Sequence, residues 1–121
     1  MATLLIIDDE TVLRETLSEL FTMVGHKVIE AIDGFDGLEK VKESKPDLIV
    51  CDIMMPKLDG YGFLEHLKLS EYSDIPVVFI TARTEMSDQE KGILLGASAY
   101  IIKPFSFQEL RWIVEYNLEN K

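Results

Sequence analysis

Five short, largely apolar runs punctuate the chain, at 4–7, 27–31, 48–51, 77–80 and 99–102. Apolar side chains on consecutive positions suit strands covered on both faces. Between the runs the spacing changes to three and four. Leu13, Leu17, Leu20, Phe21 and Val24 recur at helical spacing over 11–24, and Gly25 follows as a stop. Segment 35–44 has Phe35, Leu38 and Val41 inward, with Pro46 beyond its end, and segment 60–69 offers Phe63, Leu64 and Leu67. Segment 88–95 opens on Ser87 and Glu90, a capping-box spacing, and stops at Gly96. Segment 107–119 opens in the same way on Ser106 and Glu109. Its inward stripe is Phe107, Leu110, Ile113, Val114 and Leu118.

Strict alternation of five strands with five helices predicts an α/β fold, a parallel sheet with helices on both faces. Ligands of such sheets bind beyond the carboxyl ends of the strands, where the strand order switches. Asp8 and Asp9 follow the first run, Asp52 the third, Thr81 the fourth and Lys103 the fifth. All of them therefore fall on that one edge.

The chain has 121 residues, the length of one domain, residues 1–121. Its formal charge of −10 argues against direct binding of nucleic acid or of an anionic membrane. No apolar stretch is long enough to span a bilayer, and the N-terminus lacks a basic region and a cleavage pattern. A cytoplasmic location is expected. The one cysteine, Cys51, lies inside an apolar run and reads as a small buried hydrophobe.

Clustered carboxylates repel one another, and at least one pKa should rise unless a cation is present. Magnesium fits such a cluster, because it takes oxygen ligands and is usually held by one or two carboxylates plus a phosphate. Manganese is the alternative ion. Asp8, Asp9 and Asp52 supply carboxylates, and a backbone carbonyl in the 53–55 loop adds an oxygen. The Thr81 hydroxyl and the Lys103 charge, together with the cation, would neutralise a phosphoryl group carried on Asp52 as an aspartyl phosphate.

Four motifs carry a resemblance that covers nearly the whole chain: Ile7-Asp8-Asp9-Glu10, Cys51 to Gly60, Ile80-Thr81-Ala82-Arg83 and Tyr100 to Phe105. In this order they resemble the receiver domain of two-component response regulators. The resemblance implies a flavodoxin-like three-layer sandwich with strand order 2-1-3-4-5. It implies Asp52 as phospho-acceptor and Asp9 as a direct magnesium ligand. Asp8 would act through water, and the Met54 carbonyl would complete the protein ligands. Lys103, Thr81 and the Ala82 amide would contact the phosphoryl group. Tyr100 would turn inward as Thr81 moves, which couples the site to the face formed by segments 88–95, 99–102 and 107–119. Pro104 would follow a cis bond. The implied partners are a histidine kinase or histidine phosphotransfer protein and a downstream protein. The implied activity is self-phosphorylation with slow self-dephosphorylation, in a monomer or a phosphorylation-dependent dimer.

Plainer readings stand beside these. Asp8, Asp9 and Glu10 suit a helix N-terminus, Thr81 a cap, and Lys103 a solvated charge. One of Met54 and Met55 is expected to be core filler. Met54 and Arg83 would line the water access to the phosphoryl group. His26 and His66 are expected in surface or helix-end roles, and the acids of 36–47 on a solvated face.

Trp112 and Tyr116 point nearly opposite to Leu110 and Val114. They suit a partner anchor, or lie under a neighbouring helix, or are individually exposed. Receivers of winged-helix DNA-binding regulators often carry acids just before the switch aromatic. Here the segment is Gly96-Ala97-Ser98-Ala99, and the last helix ends with Glu115 and Glu119. A stand-alone receiver or phosphorelay intermediate is therefore expected, against a receiver fragment of a longer regulator with a DNA-binding or enzymatic output. An aspartyl-phosphate phosphohydrolase of the haloacid-dehalogenase type would want an acid where Met54 stands. A nucleotide binder would want a phosphate-cradling loop in place of Asp8-Asp9-Glu10.

Overall fold

A computed structural model describes residues 1–82 and 86–120, with side-chain surroundings for all of these except 86–89. The elements are β1 (Thr3–Ile7), α1 (Thr11–Met23), β2 (Lys27–Ala31), α2 (Gly34–Ser44), β3 (Leu48–Asp52), α3 (Gly60–Lys68), β4 (Val77–Thr81), α4 (Met86–Leu94), β5 (Ala99–Ile102) and α5 (Phe107–Glu119). The strands are all parallel, in the order β2-β1-β3-β4-β5. The parallel sheet is the one expected from the alternation, and its strand order is the flavodoxin-like one that the resemblance implies.

The two-residue period of the strands separates two cores. Leu5, Ile7, Ile49, Cys51, Val77 and Phe79 face α2 and α3, where they meet Val41, Phe63, Leu64 and Leu67. Leu4, Ile6, Leu48, Val50, Val78 and Ile80 face α1 and α5, where they meet Leu17, Phe21, Leu110 and Val114. Burying each large apolar side chain is worth about 1.5–3 kcal/mol, so the sheet is held from both sides. β1 and β3 are central, and both end at the same edge.

The punctuation falls largely where the sequence places it. Gly25 and Gly96 adopt φ of +101° and +105°, and the Ser106–Glu109 capping box is formed in full. Two further caps are aspartates: Asp33 accepts from the Asp36 amide and Asp59 from the Gly62 amide, both at 2.8 Å. α4 begins at Met86, so Ser87 lies inside the helix and not ahead of it.

Phe35 departs from expectation: it is 53% exposed. The inward positions of α2 are Gly34, Gly37 and Val41. A Cβ on Gly37 would stand 2.5 Å from Ile7 Cδ1, so α2 lies close on β1 through glycine and turns Phe35 outward. Among the described residues no helix is long and apolar enough to cross a membrane.

Candidate functional site

The carboxyl ends of β1 and β3 bring three acids together. Asp8, Asp9 and Asp52 each offer a carboxylate oxygen within 4.8 Å of the others. Asp8 and Asp52 are buried and Asp9 is exposed. Asp8 Oδ1 accepts from the Glu10 amide at 2.9 Å. Its other oxygen, Oδ2, is buried with no hydrogen-bond partner among the described residues. A buried, unsatisfied carboxylate oxygen is costly, and it marks where a cation or a proton belongs.

β5 supplies the counter-charge. Lys103 Nζ lies 3.6 Å from Asp52 Oδ2 and 3.5 Å from Glu10 Oε1. Its backbone is tied to the neighbouring strand, because the Lys103 amide donates to the Thr81 carbonyl at 2.7 Å. The Lys103–Pro104 bond is cis. Thr81, the last residue of β4, is fully buried. In the strand register Phe79 sits opposite Tyr100 and Thr81 opposite Ile102. Thr81 and Tyr100 therefore share one face of adjacent strands.

The electrostatics follow from this packing. Burial, with a further push from the Asp52 charge, raises the Asp8 carboxyl to about 7, although the Glu10 amide and Lys103 pull it down. Burial also raises Asp52, against Lys103 and the amides of Ile53 and Met54. Burial disfavours the Lys103 ammonium, but the charges of Asp52, Asp8 and Glu10 outweigh it and raise its pKa. One cation and four acids thus cluster at the strand ends, Asp8 and Asp52 buried and Asp9 and Glu10 exposed, with a surplus of negative charge.

The donor set fits a hard divalent cation. It consists of oxygens, one of them orphaned, on carboxylates that repel one another without compensation. Thiolate chemistry is absent from the crevice. Cys51 points into the core, and burial pushes its pKa well above the ordinary thiol value.

Two residues near the site were not singled out by sequence. Glu10 reaches Lys103, and Arg14 Nη1 donates to the Asp8 carbonyl at 2.9 Å. Glu10 stood in a quoted motif, whereas Arg14 carries no signal beyond its helical position. Of the two methionines after Asp52, Met55 is buried and Met54 is 55% exposed. Arg83 lies outside the described residues.

The histidines lie elsewhere. His66 is exposed, and its Nδ1 is 2.8 Å from the Gly62 carbonyl within α3. His26 follows α1, the helix-end placement that was one of its two expected roles, and it is buried and not on the surface. Its Nδ1 accepts from the Ala2 amide at 3.2 Å, so Nε2 is the protonated nitrogen of the neutral ring. Nε2 faces Glu115 Oε2 at 3.7 Å, beyond hydrogen-bond distance, and has no hydrogen-bond partner among the described residues. The ring also packs edge-on against Phe21, which makes it part of the core.

Comparison with known proteins agrees with this geometry. The family described as response regulator receiver domain matches residues 4–115. The probable transcriptional regulator ycf27 of Porphyridium aerugineum is 45% identical over 107 residues, 88% of this chain and 44% of that protein. The chain thus spans less than half the length of that relative. Protein PilG of Pseudomonas aeruginosa is 41% identical over 107 residues, 88% of this chain and 79% of PilG. The Francisella response regulator 1452 receiver domain superposes with a TM-score of 0.93 at 28% identity, covering 99% of this chain and 98% of that one. On sequence, fold and the acidic crevice alike, this chain belongs to the response regulator receiver domain family.

Proposed function

We propose that this receiver accepts a phosphoryl group on Asp52 from a phosphohistidine donor and signals by binding a protein partner. The observation that carries the reading is the convergence of Asp8, Asp9, Asp52 and Lys103 at the ends of β1, β3 and β5, with Lys103 Nζ 3.6 Å from Asp52 Oδ2. An Asp52 oxygen attacks phosphorus and the P–N bond of the donor breaks. The imidazole leaves and takes a proton from solvent. Asp8, Asp9, Asp52 and the Met54 carbonyl are the residues that would hold magnesium, with Asp9 as the direct carboxylate ligand and Asp8 acting through water as the family resemblance implies. Manganese would suit the same ligands. The bound cation neutralises charge on the transferring group. Lys103 supplies a further positive charge to the phosphoryl oxygens, and the Thr81 hydroxyl and Ala82 amide donate hydrogen bonds to them. Catalysis is then positioning and charge stabilisation, in a signalling domain and not a turnover enzyme.

The donor is a histidine kinase or a histidine phosphotransfer protein. A stand-alone or relay role is one form of this reading. The ycf27 relative, of which the chain spans 44%, supports the other form, a receiver belonging to a longer regulator.

The test is incubation with magnesium and acetyl phosphate, followed by intact mass. A gain of one phosphoryl group, lost with a chelator and absent in Asp52→Asn, is expected. No gain in the native protein, or an unchanged gain in Asp52→Asn, refutes the assignment.

A further inference from the structure

Trp112 and Tyr116 lie one turn apart on α5 and stack on each other, with ring centroids 5.3 Å apart and planes within 14°. Both stay open to solvent, at 66% and 51% exposure. Stacking that hides only part of two large rings leaves apolar area in water, which a partner would cover. Beside them is a pocket of about 200 Å³ lined by Trp112, Glu115, Tyr116 and Glu119.

Every element of this pocket attracts positive charge. The ring faces are the negative poles of their quadrupoles. Glu115 and Glu119 stand four apart on one helix face, where like charges repel. They also occupy the end of α5 where the macrodipole is negative, and no basic residue lies in its last turn. Arg111 Nε donates to Glu115 Oε2 at 3.0 Å and offsets one carboxylate. Glu119 has no ion-pair partner among the described residues.

We propose that this pocket receives an arginine side chain of a basic protein partner, its guanidinium lying on the exposed aromatic face and paired with Glu119. Arginine suits the place better than lysine, because its planar, weakly hydrated group both stacks on a ring and pairs with a carboxylate. A second copy of this chain does not suit it. A symmetric contact would set Glu109, Glu115 and Glu119 against themselves, in a chain of net charge −10. The inference deepens the output-partner part of the proposed function by giving that partner its chemistry. It does not require Asp52 to be phosphorylated.

Trp112 is the only tryptophan in the chain, so its emission reports the pocket directly. The probe is an alanine-based helical peptide with two arginines four positions apart, and the control carries glutamines in their place. Titrations use the full unphosphorylated chain. The arginine peptide is expected to shift Trp112 emission saturably, more weakly at high salt, and the glutamine peptide is not. Glu119→Gln should weaken binding of the arginine peptide by about two- to fivefold. Three results overturn the proposal: equal responses to both peptides, no saturation at millimolar peptide, or a concentration-dependent dimer in sedimentation that buries Trp112. Because phosphorylation at Asp52 is read separately by mass, failure of either assignment is distinguishable from failure of the other.

Discussion

Tyr61 on α3 and Tyr100 on β5 bring their hydroxyl oxygens to 3.5 Å beneath α4. Phe79 stands edge-on to both rings, and Lys91 Nζ lies 4.6 Å above the Tyr61 ring centre. On α4, a Cβ at Gly92 would come within 3.0 Å of the Tyr100 ring, so helix and ring are in close contact. A movement of Tyr100 is therefore felt on α3 and α4 together. At 3.5 Å the hydroxyls are longer than a good O–H···O bond, and a small shift of either ring makes or breaks it.

Thr81 shares its sheet face with Tyr100, and under the proposed function its hydroxyl follows the phosphoryl group. Moving a switch from 1:99 to 99:1 needs about 5.5 kcal/mol of differential stabilisation. A hydrogen bond to a charged group supplies about 1.5–3 kcal/mol of that. Thr81→Ala should still accept phosphate, more slowly for want of one hydrogen bond to the phosphoryl oxygens. The phosphorylation-induced change in the Tyr100 ring resonances, and in partner affinity, should fall about tenfold or more. A response of native size in the mutant would break the link between Thr81 and Tyr100.

The Asp8 carboxyl gives the domain a pH dependence with a definite sign. Its pKa in the fold is about 7, above the ordinary carboxylate value of 3.8, so the folded state holds a proton more tightly than the unfolded chain. The stability from protonated Asp8 is complete below pH 4 and is lost as pH rises through 7. Asp52 is raised as well and acts in the same direction. Without divalent cations the domain should be more stable at pH 5 than at pH 8, by about 2–4 kcal/mol. Magnesium should recover most of the difference at pH 8, and Asp8→Asn should flatten the profile. Urea midpoints across this range check the sign. A cation-free domain that gains stability from pH 5 to pH 8 would show that Asp8 ionises freely.

The layers were legible because each strand is apolar on consecutive positions and most helices carry a stripe, whereas the strand order came only from the resemblance to receiver domains. The edge bearing Asp8, Asp9, Asp52, Thr81 and Lys103 was legible for the same reason: strand ends are set by where the apolar runs stop. Phe35 was misplaced because a periodicity reading credits apolar side chains and not glycines. Gly34 and Gly37 bring α2 close to the sheet by having no side chain. His26 was legible as a helix-end residue, but its burial was not, because its partners, the Ala2 amide and Phe21, meet it only in the folded chain. Tyr61 lay within an expected helix, but its pairing with Tyr100 depends on the packing of α3 beside β4 and β5, which no local pattern encodes. The stack of Trp112 on Tyr116, by contrast, follows from helical spacing alone.

Gly60 opens α3 against the backbone that carries the proposed acceptor. A Cβ there would lie 2.6 Å from the Asp52 carbonyl oxygen and 2.8 Å from Ile53 Cα. Both are main-chain atoms that cannot rotate away. Gly60→Ala should cost about 1–3 kcal/mol and slow phosphorylation by displacing Asp52. Gly25→Ala is the control. It has no atom within 4 Å of the added Cβ but sits at φ +101°. It should lose about 1–2 kcal/mol with no change in phosphorylation rate. Equal effects of the two on the rate would separate Gly60 from the site.

Met54 is two residues past Asp52 and 55% exposed, whereas its neighbour Met55 is packed in the core. Under the proposed function, an apolar side chain at this position would offer no hydrogen bond to a water approaching the acyl phosphate and would occupy part of its approach. Asparagine at the same position would be smaller and would hold that water by its amide. Positioning worth about 1.4 kcal/mol in the transition state is a tenfold change in rate. Met54→Asn should therefore shorten the lifetime of the phosphorylated form about tenfold and leave phosphorylation itself intact. The check is the decay of the phosphoryl mass after the small donor is removed. Met55→Leu, a volume-conserving core exchange, should leave the decay unchanged. If Met54→Asn and the native protein decay alike, the side chain at this position does not control access of water to Asp52.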